Sequence, residues 1–310
     1  MTDTITADIV ASLGFTDEIA RMQGLLKAWI AETGPDIRPL LEWQFVAGSK
    51  YFRPLTIFAC HRGAVGGDIP DTMIRSAAVL EMMHNMSLVI DDILDSSDER
   101  RGKATLHARF GQLRALMTSG YIVAEGYRMS ADDPHDIALF SDLVKRLGVA
   151  ECAQWRLRRQ PLGVDDWLDI AGEDTGSMFE TCACLATRDE RLRKFGRLIG
   201  TLYHGCDDVG DVKGLASLGG GGEEDLRDGI LTLPAALAIR DPLIRELFCQ
   251  PEPGVDDLAR ISAAMQAALP AAEGKLDELA AAAKWEAQLH CKDTATLFAL
   301  VDHTRALSGR

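Results

Sequence analysis

Apolar residues recur along most of this chain every three or four positions, the period that lines one face of an α-helix. Ile19, Met22, Leu25, Leu26, Trp29 and Ile30 follow it, and Thr72 to Ile90 follows it at greater length. Leu139 to Leu157, Leu192 to Cys206 and Leu231 to Ile239 do the same. Val255 to Ala306 is rich in Ala, Leu, Glu and Lys, all good helix formers. Alternating strand patterns bounded by turn dipeptides are scarce. Breaks fall at Gly63 to Pro70, Asp132-Asp133-Pro134, Pro161-Leu162-Gly163, Gly219 to Gly222 and Pro251 to Gly254. None is a long linker. The pattern predicts one all-α domain over residues 1–310, a helical bundle of about ten helices.

Composition narrows what such a bundle does. Hydrophobic residues make up 47% of the 310, enough for a large core. Lys and Arg number 33 against 47 Asp and Glu, giving a formal charge of −14 and a pI near 4.9. That balance argues against a general nucleic-acid or anionic-membrane binder and leaves room for local basic pockets. The seven cysteines lack zinc-type spacing: one residue separates Cys182 from Cys184, and no companion pair follows. Reduced thiols in a cytoplasmic protein are expected. The N-terminal segment MTDTITADIV is acidic where a signal peptide is basic, and no apolar run approaches the roughly 18 residues of a membrane span.

Two aspartate clusters carry the candidate chemistry. Asp91, Asp92 and Asp95 form the first; Asp207, Asp208 and Asp211 form the second. Each places carboxylates at i, i+1 and i+4, so on a helix the first and last of each set stack on one face. Stacked like charges weaken a helix unless a cation offsets them, and a hard cation such as Mg2+ suits oxygen ligands. Arg100 and Arg101 follow the first cluster, and guanidinium forks bind phosphate oxygens in pairs. Upstream, Gly48-Ser49-Lys50-Tyr51-Phe52-Arg53-Pro54 places two cations three residues apart at a helix entry. His84 lies seven residues, two helical turns, before Asp91. Taken singly, each feature suits an exposed acidic face, a surface ion pair or a core histidine. Together, in this order, they imply a diphosphate carried on an apolar tail.

That order resembles the trans-type isoprenyl diphosphate synthase (polyprenyl synthetase) family, from about Gly48 to Pro234. The segment 48–54 looks like the family's GGKRLRP stretch. His84 to Asp95, Arg100-Arg101-Gly102 and Lys103 to Gly111 look like its first Asp-rich motif. Cys206 to Asp211, Asp225 to Gly229 and Thr232-Leu233-Pro234 resemble the second motif and its tail. The resemblance implies a helical domain around a deep central cavity, in which the six aspartates hold Mg2+ against an allylic diphosphate. It implies that Arg100 and Thr175 contact that allylic diphosphate. Lys50, Arg53, His84 and Arg101 hold isopentenyl diphosphate by the same likeness. Ionisation, condensation and proton loss would follow inside dry apolar walls. A homodimer is also implied.

Where the family usually carries lysines, this chain has Asp174 before Thr175, Gly220 after Leu218-Gly219, and Ile230 before Leu231. Lys213, near Asp211, reads as an exposed lysine rather than a replacement. The Gly219 to Gly222 run reads as a mobile lid or a loose linker. In the family, product length is set near the position five before the first aspartate, here Met86, with Ser87 next. A deformable Met there points to a C20 product, with C15 next, and Met117 and Tyr121 bear on the same floor. Two other functions stay open. One is a class I terpene cyclase or a prenyltransferase with a different acceptor; the other is a non-catalytic subunit of a heteromeric synthase.

Overall fold

The computed structural model describes residues 2–45, 50–100, 102–215 and 222–309. Its fold is all-α, with fifteen α-helices and one very short hairpin among the described residues. The first part of the chain forms α1 (Thr2–Leu13), α2 (Thr16–Glu32), α3 (Arg38–Phe45), α4 (Phe52–Ala64) and α5 (Asp71–Leu94). The strands β1 (Glu99–Arg100) and β2 (Lys103–Ala104) follow, then α6 (Leu106–Phe110), α7 (Gln112–Met129) and α8 (Pro134–Leu157). The remainder is α9 (Val164–Thr187), α10 (Arg193–Val212), α11 (Gly222–Asp228), α12 (Leu233–Ala238) and α13 (Pro242–Phe248). It closes with α14 (Val255–His290), α15 (Ala295–Arg305) and a 3-10 turn over Ala306–Ser308.

The predicted breaks at 63–70, 132–134, 161–163 and 251–254 all fall between helices. That at 219–222 lies outside the described residues except for Gly222. Other breaks were not predicted, among them Cys291 to Thr294, which divides α14 from α15 without Gly or Pro. Two contacts replace them there. Lys292 N–H donates to the Gly63 carbonyl at 3.1 Å, and the Asp293 side chain accepts from Ala295 N–H at 3.0 Å, an N-cap that opens α15. Helices α3, α6, α11, α12 and α13 have eight residues or fewer, too short to show an apolar period.

The chain folds as two compact units. The first contains residues 1–144, 181–191 and 291–297. Helix α5 runs through its core, and Ala77, Ala78, Val79, Leu80, Met82 and Met83 are fully enclosed on consecutive faces. A helix apolar all round is one surrounded by others. Burying each such side chain contributes about 1.5–3 kcal/mol. Phe58 of α4 packs its ring at a tilt against Phe15, centroids 5.6 Å apart, and Arg62 covers Phe15 while its guanidinium donates to the Leu13 and Gly14 carbonyls that end α1.

The second unit contains residues 145–180, 192–290 and 298–310. There α10 buries Phe195, Ile199, Leu202 and Val209, and α14 contributes Ile261, Met265 and Leu276 to the same core. A Cβ on Gly200 would stand 2.8 Å from the Gly176 Cα, so only glycine lets α9 and α10 approach this closely. The contact is braced by Glu180, which accepts from Arg146, Arg193 and Arg197 at 2.8, 3.2 and 2.9 Å. A buried carboxylate held by three guanidinium groups has its desolvation offset. No helix among the described residues is long and apolar enough to cross a membrane, and the seven cysteines form no disulfide.

Candidate functional site

The first aspartate cluster occupies the last turn of α5. Its three carboxylates do not share one environment. Asp92 is buried and accepts from Arg100 Nε at 2.6 Å, whereas Asp91 is half-buried and Asp95 exposed. Burial pushes the Asp92 carboxyl up, and the Arg100 guanidinium offsets only part of that. The i and i+4 members thus lie on the open face while the i+1 member turns inward to fix an arginine.

The cationic arm predicted around Lys50 is partly assembled in the same unit. Arg53, in the first turn of α4, brings Nη1 to 3.1 Å from His84 Nε2 on α5. Tyr51 stands just before α4 with φ +55°, a left-handed conformation that an aromatic residue rarely adopts, and its hydroxyl accepts from Gln23 at 2.8 Å. Lys50 is half-buried beside it. Gly48, Ser49 and Arg101 lie outside the described residues. Arg100 sits on a two-residue strand paired with β2, Glu99 opposite Ala104 and Arg100 opposite Lys103.

The second cluster occupies the last turn of α10, with the same partition. Asp208 is buried and accepts from Trp167 Nε1 at 2.8 Å and from Leu233 N–H at 2.7 Å, which ties α9 and the start of α12 to α10. Asp207 and Asp211 are half-buried on the other side. Asp211 Oδ1 is enclosed and accepts no hydrogen bond from the described residues. Burial, then Asp207 and Asp208, push the Asp211 carboxyl up to about 7. Asp225 on α11 is pushed up to about 8 by burial and by Asp208 and Asp211. Gly222 permits this approach, since a Cβ there would lie 3.0 Å from the Asp211 Cβ. Arg159 holds α11 from its other end, donating to the Leu226 carbonyl at 3.1 Å.

An enclosed acid oxygen without a donor, among acids that raise one another, is a donor set suited to a hard divalent cation. Helix position sharpens the point. Both clusters lie at helix C-termini, where the backbone dipole is already negative.

The departures at the lysine positions resolve differently from one another. Asp174 Oδ2 lies 3.3 Å from His204 Nδ1, and Thr175 Oγ1 lies 2.9 Å from the same nitrogen. Burial alone would lower the His204 pKa, but Asp208, Asp174 and Asp207 together drive it up to about 10. Asp174 thus favours the protonated form of the imidazole beside Thr175. The close approach of Gly176 and Gly200 brings these two helices together at this point. Sequence reading passed over His204, although it lies three residues before Asp207 on the same helix face. Asp225, in the tail of the second motif, likewise has no role that its spacing alone reveals. Lys213 is half-buried rather than exposed, because it is ion-paired with Glu273 and donates to the Ser308 carbonyl at 2.8 Å. Gly220 lies outside the described residues, and Ile230 brings no cation.

At the predicted product floor, Met86 is 4% exposed and Ser87 half-buried, its hydroxyl donating to the His84 carbonyl at 2.9 Å. Met117 is 63% exposed, and Tyr121 is half-buried and stacks on Trp29 at 6.4 Å. Among the described residues, the three donors whose ligand atoms lie close enough together to share a cation are Asp133, His135 and Asp136, away from both aspartate clusters. Arg188 already donates to both carboxylates, at 2.7 and 2.9 Å, and holds Asp133 down to about 2. Asp133 also accepts from two N–H groups at the start of α8, so this is a neutralised helix cap.

Residues 36–265 match the model of the polyprenyl synthetase family. A nonaprenyl diphosphate synthase of Mycobacterium tuberculosis is 27% identical, over 97% of this chain and 96% of that protein. Geranylgeranyl pyrophosphate synthase 4 of Arabidopsis thaliana is 29% identical, over 67% of this chain and 63% of that one. Among solved structures, a decaprenyl diphosphate synthase from Rhodobacter capsulatus shares the fold with TM-score 0.85 at 20% identity, covering 98% of this chain and 99% of that one.

The raised Asp211 pKa carries a sign that can be measured. A carboxyl near 7 in the folded state and near 3.8 in the unfolded chain costs stability as pH rises between those values. With divalent cations chelated, Asp211→Asn should be more stable than the parent at pH 8, with the gap closing near pH 4. Urea denaturation across that range checks it; a gap independent of pH would assign the difference to packing.

Proposed function

Because the chain belongs to the polyprenyl synthetase family, we propose that it condenses an allylic diphosphate with isopentenyl diphosphate into a longer trans-prenyl diphosphate. The observation that carries this reading is the repeated partition of the aspartates. At each helix end the i+1 carboxylate is buried and hydrogen-bonded, while the i and i+4 members are more exposed and share one face of the helix. Asp91, Asp95, Asp207 and Asp211 would hold Mg2+, with Asp92 and Asp208 fixing their surroundings. Bound Mg2+ would offset the charge that develops on the departing diphosphate.

Arg100 would take the allylic diphosphate through guanidinium nitrogens not committed to Asp92. Thr175, whose hydroxyl donates to Asp174 Oδ2 at 3.2 Å and lies 2.9 Å from His204 Nδ1, would turn that hydroxyl to it. Lys50, Arg53, His84 and Arg101 would hold the isopentenyl diphosphate, and the contact between Arg53 and His84 supports two members of that set acting together. As the allylic carbon–oxygen bond breaks, the partner's double bond attacks, and the released diphosphate takes the proton. The chain's part is to orient both chains, exclude water and stabilise the leaving group. A cyclase has no use for a second cationic arm, so the Arg53–His84 contact disfavours that alternative.

We assign a C20 product, with C15 next, to the buried and unbranched Met86. Relatives named for nonaprenyl, decaprenyl and geranylgeranyl products frame the range that an assay must cover. We also propose a homodimer that uses α7, where Leu113, Leu116 and Met117 are 74%, 46% and 63% exposed along one face.

With Mg2+, isopentenyl diphosphate and farnesyl diphosphate, the purified protein should yield geranylgeranyl diphosphate. Product analysis across allylic donors checks it, and elongation of none of them would refute the reading. Asp91→Ala and Asp207→Ala should each lower turnover by about a thousandfold with circular dichroism unchanged; full activity in either would remove that cluster from the site. Light scattering should give twice the 33.7 kDa chain mass, falling to one chain in the Leu116→Glu, Met117→Glu double variant. A parent of single-chain mass contradicts the dimer.

A further inference from the structure

Beside the first cluster, the indole of Trp43 on α3 is covered by two cations. Lys103 Nζ lies 3.8 Å and Arg109 Cζ 3.7 Å from the ring centroid. The same residue makes two hydrogen bonds to the β1–β2 hairpin: Trp43 Nε1 donates to the Ala104 carbonyl at 2.9 Å, and Lys103 Nζ donates to the Trp43 carbonyl at 2.6 Å. Phe110 meets the ring edge-on at 6.3 Å. So many contacts on one half-buried side chain exceed what burying an indole at a helix end requires.

The hairpin explains them. Each of its strands has two residues, too few for a two-stranded ribbon to hold itself in water. Its inner anchor is the contact from Arg100 to Asp92. If Arg100 turns part of its guanidinium to a diphosphate, that anchor weakens at the moment when the hairpin must not move. Trp43 and its two cations form an outer anchor separate from the Arg100–Asp92 contact. A small cavity of about 50 Å³, bounded by Trp43, His84, Asp92, Arg100 and Lys103, leaves Arg100 room to adjust.

We propose that Trp43 is a positioning residue: gripped by Lys103 and Arg109, it holds the β1–β2 hairpin so that Arg100 meets the allylic diphosphate in register. The inference rests on the reading of Arg100 as a diphosphate ligand. A residue that only filled space would affect stability alone; one that positions Arg100 affects diphosphate affinity and responds to what remains of the ring.

The test is steady-state kinetics on Trp43→Phe, Trp43→Leu and Arg109→Met, with thermal unfolding on the same samples. Trp43→Phe keeps the ring for both cations, and Arg109→Met removes one cation from an exposed position. Trp43→Leu should raise KM for the allylic diphosphate fivefold or more, Arg109→Met should raise it twofold or more, and Trp43→Phe should stay within twofold of the parent. Wild-type KM in both Trp43→Leu and Arg109→Met, whatever happens to the melting temperature, would overturn the proposal. So would an equal rise in Trp43→Phe and Trp43→Leu. Calorimetric titration of Mg2+ and inorganic pyrophosphate into the same variants separates this inference from the proposed reaction. A parent that elongates nothing, yet loses pyrophosphate affinity in Trp43→Leu, upholds the anchor and refutes the reaction. Unchanged pyrophosphate affinity beside normal turnover does the reverse.

Discussion

Carboxylates gathered at the C-terminal turn of a helix work against the backbone dipole and against each other, and α5 and α10 both end that way. Such an arrangement raises the free energy of the metal-free fold. It is retained only where the surroundings hold it and a ligand of opposite charge uses it. Burial and neighbouring carboxylates push Asp211 up to about 7, and Asp225 on the adjoining α11 up to about 8. What surrounds the second cluster counters it in part. The Gly176–Gly200 contact locks α9 to α10, Glu180 of α9 binds Arg146 of α8 and Arg193 and Arg197 of α10, and Arg159 secures α11.

The answer to the repulsion is division of labour within each triplet. One carboxylate of three is withdrawn into the protein, where it does structural work: Asp92 orients Arg100, and Asp208 joins Trp167 to the start of α12. Each hydrogen bond of this charged kind contributes about 1.5–3 kcal/mol. The remaining pair lies one helical turn apart on one face. The same economy explains residue 174. A carboxylate there looks hostile to a diphosphate, yet with Asp208 it keeps His204 charged, so positive charge moves from one helix to its neighbour.

Much of this was legible in the sequence because it is written in short-range spacing. The Thr72 to Ile90 period is α5, Gly and Pro mark four interhelical breaks, and i, i+4 aspartates share a face on any helix. Which member of each triplet turns inward was not legible, since i, i+1 and i+4 say nothing about where the core lies. His204 escaped because its meaning depends on Asp174, thirty residues away and joined to it only by helix packing. Lys213 was misread for a like reason: its partner Glu273 lies sixty residues on. The break at Cys291 to Thr294 rests on the distant Gly63 carbonyl rather than on a local breaker. Local chemistry reads from the chain; long-range pairing does not.

The central claim is that both helix ends exist to bind cations that carry a diphosphate. It is tested most directly by isothermal titration of inorganic pyrophosphate, with and without Mg2+, into the parent protein and into Asp91→Asn and Asp207→Asn. The account predicts binding that requires Mg2+ and weakens at least tenfold, about 1.4 kcal/mol, in each variant. Pyrophosphate binding of equal strength without Mg2+, or unaltered by either substitution, would contradict it.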